Sequence, residues 1–115
     1  MAFSEFEQKR YEKIIGSYIE TRRPEPKIRT RLDISYRVSG QSVEVFEVRP
    51  NWKDSSVINE HPIAKATYVK TTNNWKIYWM KSDLKWHEYE PDFVVNTLEQ
   101  FINVLDTDEF GSFWG

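Results

Sequence analysis

No cysteine occurs among the 115 residues. Disulfide staples, thiolate metal clusters and cysteine nucleophiles are thereby excluded together. Histidine is scarce: His61 and His87 are the whole supply, too few for an unaided metal site. No apolar run approaches the roughly 18 residues of a membrane-spanning helix, and no secretory leader is expected at the start. Internal repeats, low-complexity tracts, glycine-rich phosphate loops, G-x-S-x-G and H-E-x-x-H are all lacking. Neither charge sign dominates, at a formal net −2. The excess is in rings: 16% of residues are aromatic, five of them tryptophan. With 39% hydrophobic and 30% charged residues the chain is of the folded globular class, and its length allows one domain.

The small net charge hides an uneven spread. Residues 22–37 carry Arg22, Arg23, Lys27, Arg29, Arg31 and Arg37 against Glu25 and Asp33, which is +4. Residues 83–115 carry eight acidic groups against Lys85, which is −7. Such polarity steers partners or lets opposite ends of two copies associate. Its plainer meaning is a set of solvated faces.

Ser4-Glu5-Phe6-Glu7 has the form of a capping box, and Tyr11, Ile14, Ile15 and Tyr18 follow at helical spacing. They predict a helix over about residues 4–21, stopped by Pro24 and Pro26. Gly16 costs that helix about 1 kcal/mol relative to alanine; close packing on a sheet would explain its presence. Residues 28–38 alternate, which predicts a strand with Arg29, Arg31 and Arg37 on its wet face. A Gly40-Gln41 turn leads to a second strand at about 42–49, pairing Val38 with Val43 and Tyr36 with Val45. That register turns Glu47 inward and Phe46 and Val48 outward, a conflict that a bulge near 45–47 would relieve. A polar loop is expected over 50–61, around Trp52. Further strands are expected at about 63–71, 74–81 and 84–90, with an Asn73-Asn74 turn setting Tyr68 opposite Trp79. Asn96 and Glu99 cap a helix predicted over about 96–106, with Leu98, Phe101, Ile102 and Leu105 as its stripe. Residues 107–115 form an acidic, then aromatic, tail.

These elements make a single α+β domain over residues 1–115: an N-terminal helix, an antiparallel meander of about five strands, and a C-terminal helix. Both helices are expected on one sheet face. A two-layer core of this size is small, and large rings bury more area per residue than aliphatics, so much of the tryptophan follows from packing.

Two surfaces invite partners. Arg29, Arg31, Arg37, Lys65, Lys76 and Tyr78 would share the outer sheet face, a basic surface carrying a ring. Single-stranded nucleic acid would meet the cations through phosphates and stack a base on Tyr78. Against that, the pI is about 5.7 where nucleic-acid domains commonly exceed 9, and such stems also cover sheet surface or contact proteins. The tail rings Phe110, Phe113 and Trp114 should dock on the home domain, or else on a second copy. Glu47 and His87 are the weaker chemical candidates, for a hydrolase or nuclease, with Asp33, Glu44 and Glu47 a conceivable carboxylate metal site. Strand alternation sends His87 and Glu88 to opposite faces, so no constellation forms. No catalytic, cofactor-binding or metal residue is assigned, and no cofactor is expected. The expectation is a non-enzymatic protein-interaction or regulatory module whose partner is a protein or a second copy. Nucleic-acid binding is the alternative, and no membrane is involved.

The stretches AKATYVKT, WKIYWMKSDLKWHEYEP and GSFWG resemble the small bacterial proteins grouped as domain-of-unknown-function family 3024. The likeness extends over essentially the whole chain, and residues 83–91 (DLKWHEYEP) are its most specific part. It implies a single-domain protein of the bacterial cytoplasm and no particular chemistry. Members of that family usually end in a Gly-Cys-Phe-Phe-Gly-like motif. Ser112 stands here at the cysteine position and Trp114 at that of the second phenylalanine. A metal or redox role for that cysteine would therefore be lacking in this chain.

Overall fold

Ser4 opens the first helix, α1 (Glu5–Arg22), with the expected capping box. Its hydroxyl accepts from the Glu7 N–H at 3.2 Å, and the Glu7 carboxylate accepts from the Ser4 N–H at 3.0 Å. Tyr11, Ile15 and Ile19 are buried, with Ile14 and Tyr18 partly covered beside them. The computed structural model describes residues 2–114; Gly115, the end of the aromatic tail, lies outside the described residues.

Gly16 meets the sheet as its position suggested. A Cβ there would stand 2.9 Å from the Tyr36 hydroxyl. Gly16→Ala gains about 1 kcal/mol of helix propensity but forces a displacement worth about 1–3 kcal/mol. A net loss of about 1 kcal/mol is expected in urea unfolding. Tyr36→Phe removes the oxygen and should rescue part of it; an alanine cost equal in both backgrounds would contradict the contact.

The chain leaves α1 in turns rather than a strand, which corrects the start expected at residue 28. Ile28 donates to the Glu25 carbonyl at 2.8 Å, and Arg31 and Leu32 donate to the Ile28 carbonyl at 2.8 and 3.1 Å. The first strand, β1, is Asp33–Ser39, and it pairs only with β2 (Ser42–Pro50). Past Val48, which faces Asp33, the neighbour offers only Arg49 and a proline without an N–H. Alternation in 28–32 therefore has no ladder to join.

Asp33 is anchored from the helix. Arg23 donates Nε and Nη2 to its two carboxylate oxygens at 2.9 and 2.8 Å, and the Ile34 N–H adds a third bond at 2.8 Å. Hydrogen bonding from Arg23 holds the Asp33 carboxyl below the ordinary carboxylate range. A depressed folded value means the stabilisation is full above the unfolded pKa of about 4 and fades as pH falls through the folded one. Asp33→Asn should cost about 1–3 kcal/mol near pH 7, and that cost should shrink in urea melts below about pH 4. A loss independent of pH would remove the ionic explanation.

The β1–β2 hairpin has the expected register, Val38 against Val43 and Tyr36 against Val45, around Gly40 at φ 62°. Its pairing runs unbroken to Asp33, so the bulge expected near 45–47 is not in this ladder. The irregularity lies on the other side of β2. There β3 (Ile58–Val69) sets Ala64 against Val45 but Pro62 against Phe46, leaving Ile63 as the extra residue. Ile63 and Ala64 both enter the core, Glu47 stays on the helix side, and Phe46 and Val48 face away. Phe46 is nonetheless buried, beneath the Arg37 guanidinium 4.8 Å from its ring centre.

Residues 58–61, expected in a loop, are strand because β2 continues beside them; Glu60 also binds Arg37 at 2.9 Å. The hairpin to β4 (Asn74–Met80) turns over residues 70–73, with Asn73 at φ 57°. Tyr68 faces Trp75 rather than Trp79, a slip of four residues. An even slip leaves every side chain on its expected face.

The fifth strand, β5 (Trp86–Glu88), is shorter than expected because Glu90–Asp92 coils into a 3-10 turn at Pro91. An unforeseen strand, β6 (Val94–Val95), returns to the far end of β4. Between the two, Ile77 donates to Phe93 and accepts from Tyr89, at 2.8 and 2.9 Å. The second helix, α2 (Leu98–Thr107), is capped by Thr97 with Gln100, not by Asn96 with Glu99. Leu98, Phe101 and Leu105 are buried with the α1 stripe and the inner sheet residues in one cluster. Strand order is β1-β2-β3-β4-β5, with α1 over β1 and α2 over β3, β4 and β6. The fold is α+β, with both helices on one face and the other face open.

Candidate interaction face and adjoining cleft

The open face is built from one row across the sheet: Arg37, Glu44, Lys65, Tyr78 and Glu88 stand opposite one another on five successive strands. Beside the row lie Lys76, opposite Thr67, and Glu60, opposite Val48. Cations and carboxylates alternate, and the cations lie over rings. The Lys65 ammonium is 5.2 Å from the Tyr78 ring centre and 4.8 Å from that of Trp86. Lys76 stands 5.6 Å over Phe93, which meets Tyr78 edge-on at 5.6 Å. A cation over a ring is worth about 0.5–1 kcal/mol at exposed sites, so these stems are held along the sheet rather than extended from it.

Of the six residues expected on this face, four are there. Arg37, Lys65, Lys76 and Tyr78 share it, while Arg29 and Arg31 sit in the turns before β1, off the sheet. Arg29 donates Nε to the Pro24 carbonyl at 3.0 Å, bracing that turn. Trp86 and Phe93 complete the aromatic part of the face. Trp86 was legible from its parity with Tyr78 across a β4–β5 hairpin; Phe93, in a stretch without alternation, was not.

The tail docks on its own domain. Phe113 is buried with its ring 4.8 Å from that of Tyr89. Trp114 donates Nε1 to the Leu105 carbonyl at 2.8 Å and lies under the Arg22 guanidinium, 4.6 Å from the ring centre. The Asp108 carboxylate ties both residues down, accepting from the N–H of Phe113 at 3.1 Å and of Trp114 at 2.9 Å. Phe110 departs from the expectation: it is 64% exposed.

Glu47 and His87 are not brought together. Three strand spacings, about 14 Å, separate β2 from β5. Glu47 accepts from Arg49 at 2.7 Å, and His87 Nε2 is bonded to Asp83 Oδ2 at 2.8 Å. Asp33 is engaged with Arg23, and Glu44 and Glu47 face opposite sides, so this carboxylate trio cannot share one ion. Among the described residues no group of three or more potential ligands converges for a metal.

His87 instead belongs to a cleft of about 390 Å³ on the helix side, at the end of the sheet beyond the helices. Trp79 and His87, directly opposed on β4 and β5, are its floor. Lys81, Glu90, Pro91 and the tail residue Ser112 stand around it. Leu84 at φ 62° turns the hairpin tightly, and Asp83 reaches back across the turn to the imidazole. Hydrogen bonding from His87 holds the Asp83 carboxyl below its ordinary range. Among the described residues no helix is long and apolar enough to cross a membrane.

The family model described as Domain of unknown function (DUF3024) matches residues 3–115. No curated protein and no solved structure matches the chain.

Proposed function

The chain belongs to the DUF3024 family, and from that premise we propose that it is a non-enzymatic module that binds a protein partner on its open sheet face. One observation carries this reading: the face is aromatic but electrically balanced. Arg37, Lys65 and Lys76 are set against Glu44, Glu60 and Glu88, and rings lie between them. A phosphate backbone draws its affinity from net positive charge, which such a face does not offer. Half-buried Tyr and Trp with ordered cations are what protein interfaces favour, and alternating charges set register and partner choice. The cytoplasm is the compartment we assign to this module.

Affinity capture from the source organism, with and without nuclease, tests the reading. A protein should be retained in both conditions and lost when Tyr78→Ala is combined with Lys65→Glu. Anisotropy of a labelled oligonucleotide should stay flat at low salt. Capture abolished by nuclease, or salt-dependent oligonucleotide binding that the same variant removes, would replace the protein partner with a nucleic acid.

A further inference from the structure

We infer that the cleft between β5 and the C-terminal tail binds a small zwitterionic aromatic molecule of the α-amino-acid class. The site lies on the helix side of the sheet and meets the open face only at its edge, through Glu88.

Its walls are preformed. The tail is folded back by the two hydrogen bonds to Asp108 and by the Trp114 indole bonded to Leu105. Phe113 is thereby fixed against Tyr89, and its neighbour Ser112 is set at the rim facing Trp79 and His87. At about 390 Å³ the cleft lies at the small end of the roughly 300–1,000 Å³ typical of ligand sites. That size suits a single ring system with its polar groups.

The polar groups are of both signs. Lys81 enters no ion pair among the described residues; its ammonium rests 5.2 Å over the Trp79 ring. His87 has Nε2 committed to Asp83, which fixes the ring and leaves Nδ1 as the atom it can offer. Lys81 and the Ser112 hydroxyl can together receive a carboxylate, while the His87 Nδ1 lone pair can accept from an ammonium. Glu90 supplies the opposite charge, and Glu88, which stands opposite Tyr78 on the outer row, also reaches the cleft lining. The half-exposed Trp79 ring is a planar floor for stacking. A simple anion would leave Glu90 facing like charge, and a simple cation would do the same to Lys81. A ring bearing both an ammonium and a carboxylate satisfies all of these groups.

L-phenylalanine is the probe, titrated to about 10 mM into the 15N-labelled full chain while amide shifts are followed. Saturable shifts are expected at Trp79, Lys81, His87 and Ser112, with the open-face amides of Arg37, Glu44 and Lys65 unmoved. Phenylalaninamide lacks the carboxylate and 3-phenylpropionate lacks the ammonium; each should bind at least tenfold more weakly. Lys81→Met and Glu90→Gln, both at exposed positions, should each lower affinity about tenfold. Tyr78→Ala should leave binding unchanged, so failure here and failure of the open-face reading are separable. Absence of shifts, shifts indifferent to Lys81→Met and Glu90→Gln, or analogues that bind as well as the amino acid would each overturn the inference.

Discussion

Trp75→Ala is expected to remove about 3–5 kcal/mol of folding stability, a large fraction of the roughly 5–15 kcal/mol a domain possesses. Trp75 is 2% exposed and lies where the meander, the N-terminal segment and α1 meet. Tyr11 meets its ring edge-on at 5.1 Å between centres, Tyr68 stands at 5.2 Å and Phe3 at 5.8 Å. Truncation would delete the transfer energy of the indole and leave a cavity that three stiff rings cannot collapse to fill. Urea unfolding near 25 °C measures the loss. Trp52→Ala is the matched control: Trp52 is 86% exposed at the β2–β3 turn, and its removal should stay within about 0.5 kcal/mol. Equal costs for the two variants would mean that the core has been wrongly placed.

Asp108→Ala should be the most damaging change outside the core, at about 2–4 kcal/mol. Two effects add. The carboxylate that holds the N–H groups of Phe113 and Trp114 disappears, and alanine must take the left-handed backbone, φ 40°, that ends α2. Asp108→Gly separates them, because glycine accepts that conformation at little cost while still lacking the carboxylate. The glycine variant should therefore recover about 1 kcal/mol of the alanine loss. Trp114 fluorescence, red-shifted on release from Arg22 and Leu105, reports tail detachment in both. A glycine variant as stable as the native chain would show that backbone conformation, not the carboxylate, holds the tail.

The places where local reading succeeded and failed have physical causes. Ser4 and Glu7 cap α1 within one turn, so nothing distant could change the outcome. The β3–β4 register slipped by four residues, because a four-residue turn replaced the tight Asn73-Asn74 one. The core nevertheless survived, since parity and not register decides which face a strand residue takes. Arg29 and Arg31 were misplaced because period two signals a strand only where a neighbour supplies hydrogen bonds. The open face was thus half legible: Lys65, Lys76 and Tyr78 followed from parity, while its balancing Glu60 lay in an expected loop. The cleft was not legible at all. Asp83 and His87 are four residues apart, yet their bond requires the Leu84 turn, and Ser112 arrives only when the tail docks.

By itself the sequence determined the two helices, the antiparallel meander between them, the inner and outer faces of its strands, and the absence of thiol chemistry. Each depends on caps, periodicity or composition, which act over a few residues. Tertiary structure alone decided where β1 begins, that the bulge beside Val45 and Phe46 takes its extra residue, Ile63, from β3, that Val94 and Val95 rejoin β4, and that the tail closes the cleft. Those outcomes depend on which distant segment offers an unpaired N–H, a carbonyl or an apolar surface, and no local pattern encodes that supply.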